Sequence, residues 1–201
     1  MQSVENKIIK RIRGGGRGSV FSPREFLDLG SRDAVDKAFS RLVKKGALRR
    51  VDRGIYSYPE VNPLIGELSP RPEVVAKAVA CRGSQRLLPS GAYAANLLGL
   101  TDQVPAKIEY LTDGPSSRTQ IKNLPVILKQ TTPRNLAVAD RVTGVVMQAL
   151  RFLRQSQVDE SVVETLRKRL SSEDKQQLLR DISQVPAWMG KVFREIAEGE
   201  E

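Results

Sequence analysis

Residues 31 to 46 constrain the fold of this chain more than any other segment. Ser31 can cap a helix that runs from Arg32 to Lys45 and ends at Gly46. Apolar residues recur in this helix at i, i+3, i+4, i+7 and i+8, which places them on one face about 100° wide. They are Val35, Ala38, Phe39, Leu42 and Val43. The opposite face is predicted to point outward and contains Asp33, Lys37, Ser40, Arg41 and Lys44.

Two further helices are predicted ahead of this one. The first is amphipathic, with apolar residues every four positions at Val4, Ile8 and Ile12. The second follows the run Ser22-Pro23-Arg24-Glu25, which combines a serine cap, a proline at the first helical position and a glutamate three residues after the cap. Because a glycine turn at Leu29-Gly30-Ser31 joins the second helix to the third, the pair is typical of a helix-turn-helix.

A β-hairpin is predicted after the third helix. Two extended segments within residues 47 to 58 flank a turn that contains Gly54. Leu48 and either Ile55 or Tyr56 can pack inward on this hairpin. The residues that project outward are Arg49, Arg50 and Arg53. Three helices followed by a basic hairpin predict a winged helix-turn-helix domain.

The positive charge of the chain is concentrated in this predicted domain. Residues 1 to 58 contain 14 Lys and Arg against 6 Asp and Glu, a net charge of +8, whereas residues 59 to 201 contain 19 against 17, a net charge of +2. A basic patch on a small domain is expected of a nucleic-acid binder, because neutralised phosphates release condensed counterions. A solvated basic face with no polyanionic partner is the alternative, and the ordered helices and hairpin favour DNA over it.

Two sets of residues are predicted to contact double-stranded DNA. Cations and short polar groups on the third helix can enter a major groove, where they reach phosphates and base edges; they are Ser31, Arg32, Lys37, Ser40, Arg41 and Lys44. Guanidinium groups on the hairpin can meet the phosphate backbone or the minor groove; they belong to Arg49, Arg50 and Arg53.

The rest of the chain is predicted to be a linker and a second domain. Residues 59 to 72 contain Pro59, Pro63, Pro70 and Pro72, which indicates a linker or an extended arm. Residues 73 to 201 then predict a mixed α/β domain with a helical tail or bundle from about residue 141. Its predicted helices span 73–81, 91–98 (with Ser90 as the cap), 161–170, 172–182 and 186–198, and its predicted strands span 107–111, 119–121 and 126–130. The fold class is therefore α+β.

Two features of this second part have more than one interpretation. Residues 112 to 118 contain a glycine, serines and an arginine, but they lack the order of a nucleotide-binding loop, so we interpret them as a hairpin turn. Arg118 and Lys122 would extend the basic surface. Residues 155 to 201 have a net charge of −3, and Trp188 there is predicted to close the core together with Met189 and Phe193 rather than to form an exposed partner site.

Composition argues against several classes of protein. The chain has no histidine and a single cysteine, Cys81, which excludes a disulfide framework, a usual zinc site and a histidine-based catalytic triad. Cys81 is interpreted as a buried apolar side chain. We therefore expect no enzyme, no catalytic residue, no cofactor and no metal. No apolar run is long enough to span a membrane, and the first residues do not resemble a signal peptide, so a cytoplasmic location is expected.

The pattern resembles that of AbiEi-type antitoxins over roughly residues 5 to 135. The matching segments are Ser40 to Gly46, Arg50 to Tyr56 with Pro59, and Leu88 to Leu100 followed by a β-rich stretch. The resemblance implies a cytosolic bacterial antitoxin that represses its own operon through the winged helix. It also implies a cognate toxin of the nucleotidyltransferase type as a partner, which the rest of the chain would oppose.

We therefore predict a DNA-binding transcriptional repressor that acts as the antitoxin of a toxin-antitoxin pair, with operator DNA and the toxin as partners. The alternative is a winged-helix regulator that acts alone and senses a small molecule through its C-terminal module. A large apolar pocket in that module would favour the alternative, and a toxin gene next to the gene for this chain would favour the antitoxin.

Overall fold

The computed structural model describes residues 3–80 and 85–198, which form helices and small sheets. The structure is mixed α+β, as the sequence predicts, with eight α-helices and three sheets in those residues. Its contacts group the chain into two units, Met1–Gln85 with Arg118–Val126 and Arg86–Ser117 with Ile127–Glu201. We call them the first and the second unit. Cys81, predicted to be buried, lies outside the described residues.

The first unit begins with helices and continues with short strands. Its elements are α1 (Val4–Gly14), β1 (Val20–Phe21), a 3-10 helix (Pro23–Phe26), α2 (Arg32–Lys44), β2 (Arg49–Asp52), β3 (Ile55–Ser57), β4 (Glu60–Asn62), β5 (Gly66–Leu68) and α3 (Pro72–Ala80). Strand β3 lies between β1 and β2 and is antiparallel to both, with Ser57 opposite Val20 on one side and Arg49 on the other. Gly54 makes the turn from β2 to β3 at φ 69°, a conformation that favours glycine.

The core of the first unit forms where α1, the 3-10 helix and α2 meet the hairpin of β2 and β3. The buried apolar side chains there are Ile8, Ile12, Phe26, Val35, Ala38, Phe39, Leu42 and Leu48. Phe39 is central to it, because its ring lies 5.3 Å from that of Phe26 and 4.9 Å from that of Tyr56. The predicted inward faces of the helices and of the hairpin are thereby confirmed.

Two local predictions for the first unit need correction. The segment after Ser22 is a short 3-10 helix, because its first backbone hydrogen bond, from the Glu25 amide to the Ser22 carbonyl, spans three residues and not four. The predicted capping box between Ser22 and Glu25 is present. The predicted linker, residues 59 to 72, contains the antiparallel hairpin of β4 and β5. It does not separate the units, because α3 contacts β1 and β3 and the first unit continues to Gln85.

The second unit consists mostly of helices, together with strands of one sheet. The remaining elements are β6 (Leu87–Ser90), α4 (Gly91–Leu97), β7 (Ile108–Thr112), β8 (Ser117–Ile121), β9 (Leu124–Gln130), α5 (Val142–Leu153), α6 (Glu160–Arg169), α7 (Ser172–Arg180), α8 (Ala187–Ala197) and 3-10 helices at Pro133–Leu136, Gln155–Gln157 and Ile182–Gln184. The strand order is β6-β7-β9-β8, and β8 with the start of β9 belongs to the first unit.

The predicted helices and strands of this part are present, with one omission and two differences. Residues 112 to 118, interpreted as a hairpin turn, join β7 to β8, and that interpretation is wrong because β9 lies between these two strands in the sheet. Strand β6, which pairs antiparallel with β7, was not predicted, because Pro89 interrupts a short apolar run. The side chain of Ser90 forms no capping hydrogen bond to α4. Met189 and Phe193 are fully buried and Trp188 packs against the same core, which confirms the core interpretation of these residues.

A buried carboxylate joins α5 to the end of α7 in the second unit. Asp181, 3% exposed, accepts hydrogen bonds from Thr143 Oγ1 at 2.7 Å and Gln177 Nε2 at 2.9 Å and pairs with Arg141 at 2.5 Å. Burial acts to raise the pKa of Asp181, but these hydrogen bonds and the Arg141 charge outweigh it and hold the pKa below its ordinary value. The polar groups here stabilise the fold.

Close packing also marks this region. Gly144, in the first turn of α5, lies so near the backbone that a Cβ atom there would overlap the carbonyl oxygen of Val138 and approach Leu88 Cδ1 to 2.8 Å. Only glycine allows this approach between α5 and the chain before it.

Candidate nucleic-acid interface

The polar face of α2 is formed by the same pattern that buries its apolar face. Ser31 caps the helix by accepting a hydrogen bond from the Ala34 amide at 3.4 Å. Val35, Ala38, Phe39 and Leu42 are buried, so the remaining positions turn away from the core. All nine residues predicted to contact DNA are exposed; they are Ser31, Arg32, Lys37, Ser40, Arg41, Lys44, Arg49, Arg50 and Arg53.

Two of these residues carry charge that the described structure does not use. Lys37 and Lys44 lie seven residues apart on α2, which places them two turns apart on one side of the helix. Neither ammonium group forms an ion pair or a hydrogen bond with any residue in the ranges 3–80 and 85–198. They are therefore available to an external anion.

Other predicted residues on α2 have partners within the first unit. Arg32 pairs with Asp36 at 2.7 Å, and Ser40 Oγ donates to the carbonyl oxygen of Asp36 at 2.9 Å. Arg41 lies 4.0 Å from Glu5, whose carboxylate also pairs with Lys45 at 2.5 Å. Arg32 and Arg41 keep more than half of their side chains exposed in these pairs, whereas Glu5 is half-buried. The ion pairs of both arginines are therefore weak and can exchange for contacts with a ligand.

The three arginines of the hairpin differ in their ion pairs and hydrogen bonds. Arg49 pairs with Glu67 at 2.9 Å, and Arg50 Nε donates to the carbonyl oxygen of Asp52 at 3.4 Å. The backbone amide of Arg53 donates to Asp52 Oδ1 at 2.6 Å, which fixes the hairpin turn, while its side chain is exposed. All three side chains are exposed on the hairpin, and that of Arg49 is held by an exposed ion pair with Glu67.

A second group of polar side chains adjoins the hairpin within the first unit. Gln120 and Lys122 line a cavity of about 290 Å³ together with Arg49 and Arg50. The sequence analysis predicted that Lys122 would extend the basic surface, but it did not indicate which residues of the hairpin Lys122 would adjoin. Sequence separation hides the contact, since about 70 residues lie between the two segments.

One exposed cation near this surface is committed to a local ion pair. Arg11 donates to both oxygens of Asp28, at 2.9 and 2.6 Å. The hydrogen bond and charge of Arg11 hold the pKa of Asp28 below its ordinary value. This pair joins α1 to the turn that precedes α2.

The described residues contain neither a cluster of metal ligands nor a helix that could span a membrane. No three or more carboxylate or cysteine side chains in those residues are grouped so that they could hold a metal ion. No helix within the same residues is long and apolar enough to cross a membrane.

The elements and the exposed basic helix face define a mixed α+β protein with a candidate site for a polyanion. Residues 7–178 match DUF6088, a family of unknown function, and the chain belongs to that family. A comparison with curated proteins gave no match. Among solved structures, the chain is similar to the crystal structure of the RV2827C protein from Mycobacterium tuberculosis, with 15% sequence identity over 98% of this chain and 83% of that one and a TM-score of 0.46.

Proposed function

We propose that the first unit is a winged helix-turn-helix that binds double-stranded DNA. In this proposal α2 enters the major groove, and the hairpin of β2 and β3 is the wing that follows the phosphate backbone. The order of α1, the 3-10 helix, α2 and the hairpin supports it. So does the exposure of the cations on α2 and on the hairpin.

The observation that carries this proposal is the pair of unpartnered lysines on α2. Lys37 and Lys44 are about 10 Å apart along the helix axis, at 1.5 Å per residue. The major groove of B-DNA is about 12 Å wide, so two ammonium groups at this separation can reach phosphates along or across it.

The carboxylates on the same face bear on sequence preference. Asp33 and Asp36 lie beside Lys37 and Ser40 around a shallow groove on α2. A carboxylate repels phosphate but can accept a hydrogen bond from the amino group of cytosine in the major groove. Arg41, held only loosely by Glu5, can reach the acceptors of guanine. This mixture favours specific binding over uniform attraction to any duplex.

We further propose that the protein represses its own operon and acts as the antitoxin of a toxin-antitoxin pair. Support for this part comes from the resemblance of residues 5 to 135 to AbiEi-type antitoxins. The second unit, whose net charge after residue 155 is −3, would then act on the toxin rather than on DNA.

The DNA-binding proposal is tested by measuring fluorescence anisotropy of duplex DNA taken from upstream of the gene, at several salt concentrations. The variant Lys37→Ala/Lys44→Ala should bind at least tenfold more weakly. Its slope of log affinity against log salt should be smaller by about 1.8, because each lost phosphate contact removes about 0.9.

The matched control is Lys77→Ala/Lys191→Ala, which removes the same charge from exposed positions on α3 and α8. It should leave the slope unchanged. Equal losses in the two double variants would contradict the assignment of α2, and absence of binding by the natural sequence would contradict the DNA-binding proposal itself.

The antitoxin proposal needs a separate readout. The protein of the neighbouring gene is produced in a bacterial host, with and without this chain expressed from an unrelated promoter. The full chain and the Lys37→Ala/Lys44→Ala variant should both restore growth, because neutralisation does not require operator binding in this proposal. Failure of both to restore growth would remove the antitoxin role and leave DNA binding intact.

A further inference from the structure

The cavity beside β2 in the first unit, which Arg49 and Arg50 line, is basic. Arg49 and Arg50 form one side of it, Gln120 and Lys122 form another, and Ser69 also contributes to the lining. Its volume is about 290 Å³, which is enough for an anion with its hydration water. Among the residues that line it, three are cations and one, Asp52, is an anion.

Asp52 offsets one of the three positive charges, and both of its carboxylate oxygens are held in place by hydrogen-bond donors. Thr119 Oγ1 donates to Asp52 Oδ2, and the backbone amide of Arg53 donates to Asp52 Oδ1 at 2.6 Å. Thr119 is 5% exposed. This contact holds β8 against the turn of the hairpin and so fixes two walls of the cavity relative to each other.

The backbone at Lys122 supplies an independent observation. Lys122 makes the turn between β8 and β9 with φ 52°, in the left-handed region that glycine and asparagine occupy most readily. A lysine in this conformation costs some backbone strain, and such strain persists at sites where the side chain has a use. The ammonium group of Lys122 is exposed and forms no ion pair with any described residue.

Arg50 is the second cation that can bind an anion in this cavity together with Lys122. Its guanidinium group is exposed and makes only a long hydrogen bond, 3.4 Å, to a backbone carbonyl. Arg49 is less available, because it pairs with Glu67. A planar guanidinium and a mobile ammonium on two sides of one cavity suit the oxygens of a phosphate group.

We propose that Arg50 and Lys122 bind one phosphate of the DNA backbone, and that Thr119 positions this site through Asp52. The inference rests on the proposed DNA-binding function and extends it to the turn of β8 and β9. A segment from the middle of the chain thereby completes the interface that the N-terminal elements begin.

The test uses the full chain with the variant Lys122→Asn, which removes the charge and favours the same backbone conformation. Two duplexes are compared, one from upstream of the gene and one of unrelated sequence. The variant should lose roughly threefold to tenfold in affinity for both duplexes, its salt slope should fall by about 0.9, and its melting temperature should not decrease.

The matched control, Lys77→Ala, removes an exposed lysine of the same unit that does not line the cavity. An unchanged slope in Lys122→Asn beside a reduced slope in Lys37→Ala would overturn this inference and leave the proposed function standing. Loss of binding to the upstream duplex alone would also overturn it, because a phosphate contact does not distinguish sequences. If the natural sequence binds neither duplex, the proposed function fails and takes this inference with it.

The free anion is tested as a competing source of the same chemistry. Inorganic phosphate is titrated into the natural sequence and into Lys122→Asn at constant ionic strength. Tight binding of free phosphate that depends on Lys122, without any effect on DNA affinity, would assign the cavity to a small anion and overturn the inference.

The positioning role of Thr119 has its own readout. In a Thr119→Val background, Asp52 loses one donor, so Lys122→Asn should have a smaller effect on DNA affinity than it has in the natural sequence. Thr119→Ser, which keeps the hydroxyl, should restore the full effect. Simple addition of the two losses would show that Thr119 does not position the site.

Discussion

The two units of this chain use charge in different ways. In the first unit, Lys37, Lys44 and Lys122 are exposed with no carboxylate partner among the described residues. In the second unit, Asp181 is buried against hydrogen-bond donors and a guanidinium group, and Glu109 lies between two lysines. These cations of the first unit remain unpaired within the described residues, whereas the charge of Asp181 in the second unit is buried and paired.

This contrast separates binding from stability. Surface cations that lack partners contribute little to the free energy of folding, so their loss should be visible in affinity for a polyanion. A buried, hydrogen-bonded carboxylate contributes mainly to the free energy of unfolding. Removing a charge should therefore change affinity for a polyanion in the first unit and the free energy of unfolding in the second unit.

The largest effect is expected for Gly144→Ala in the second unit. The added Cβ would overlap the Val138 carbonyl oxygen, so α5 must shift, at a cost of about 3 kcal/mol of unfolding free energy. Urea denaturation followed by the fluorescence of Trp188, the single tryptophan of the chain, measures it. Gly14→Ala at the exposed end of α1 is the control, because its Cβ would meet no atom within 4 Å.

Asp181→Asn should lower the free energy of unfolding by a smaller amount, about 2 kcal/mol. The substitution weakens the pair with Arg141 and disturbs the hydrogen bonds of Thr143 and Gln177. The loss should depend on pH. The pKa of Asp181 is lower in the folded than in the unfolded state, so the stabilisation is complete above the unfolded value, about 3.9. It disappears as the pH falls below that value and through the folded one.

Denaturation of Asp181→Asn and of the natural sequence at several pH values measures this difference. The gap between the two proteins should be constant near neutrality and shrink below about pH 4. A gap that stays constant in strong acid would mean that the charge of Asp181 does not stabilise the second unit.

Glu67→Gln in the first unit should strengthen DNA binding, by about 1 kcal/mol of binding free energy or less. The substitution releases Arg49 from its ion pair with Glu67, so DNA affinity should rise about twofold to threefold at low salt. Anisotropy with duplex DNA measures the change. Glu164→Gln, which releases Lys168 on α6, is the control and should leave affinity unaltered.

The smallest effect is expected for Asp28→Asn. Its pair with Arg11 is short, but both groups are exposed, so solvent screens the interaction. The midpoint of thermal unfolding should stay within experimental error of that of the natural sequence at neutral pH. A clear fall would show that the first unit depends on paired surface charge as the second unit does, and the contrast between the units would weaken.

Local sequence signals predicted the elements of the first unit well. The spacing of Val35, Ala38, Phe39 and Leu42 fixed the buried face of α2, and the exposed face followed from it. Pairing among exposed side chains was beyond prediction, because the contacts of Arg49 with Glu67 and of Arg41 with Glu5 depend on the tertiary structure. The availability of Lys37 and Lys44 could therefore be learned only from the structure.

Long-range contacts account for most of what the sequence did not predict. Prolines at residues 59 to 72 suggested a linker, yet the segment forms a hairpin and α3 packs against β1 and β3. Strand β6 escaped prediction because its four residues include a proline. The placement of Thr119 beside Asp52 has no local signal at all, since it joins segments 67 residues apart.

The contact between Thr119 and Asp52 also bears on synthesis of the chain. The first unit is discontinuous, so its N-terminal part is translated before the segment from Arg118 to Val126 exists. At roughly 5 to 20 residues per second, the ribosome needs a few seconds to pass from Gln85 to Val126. During that interval the hairpin turn lacks its threonine donor. A nascent chain acquires the complete surface only after the segment from Arg118 to Val126 has been made.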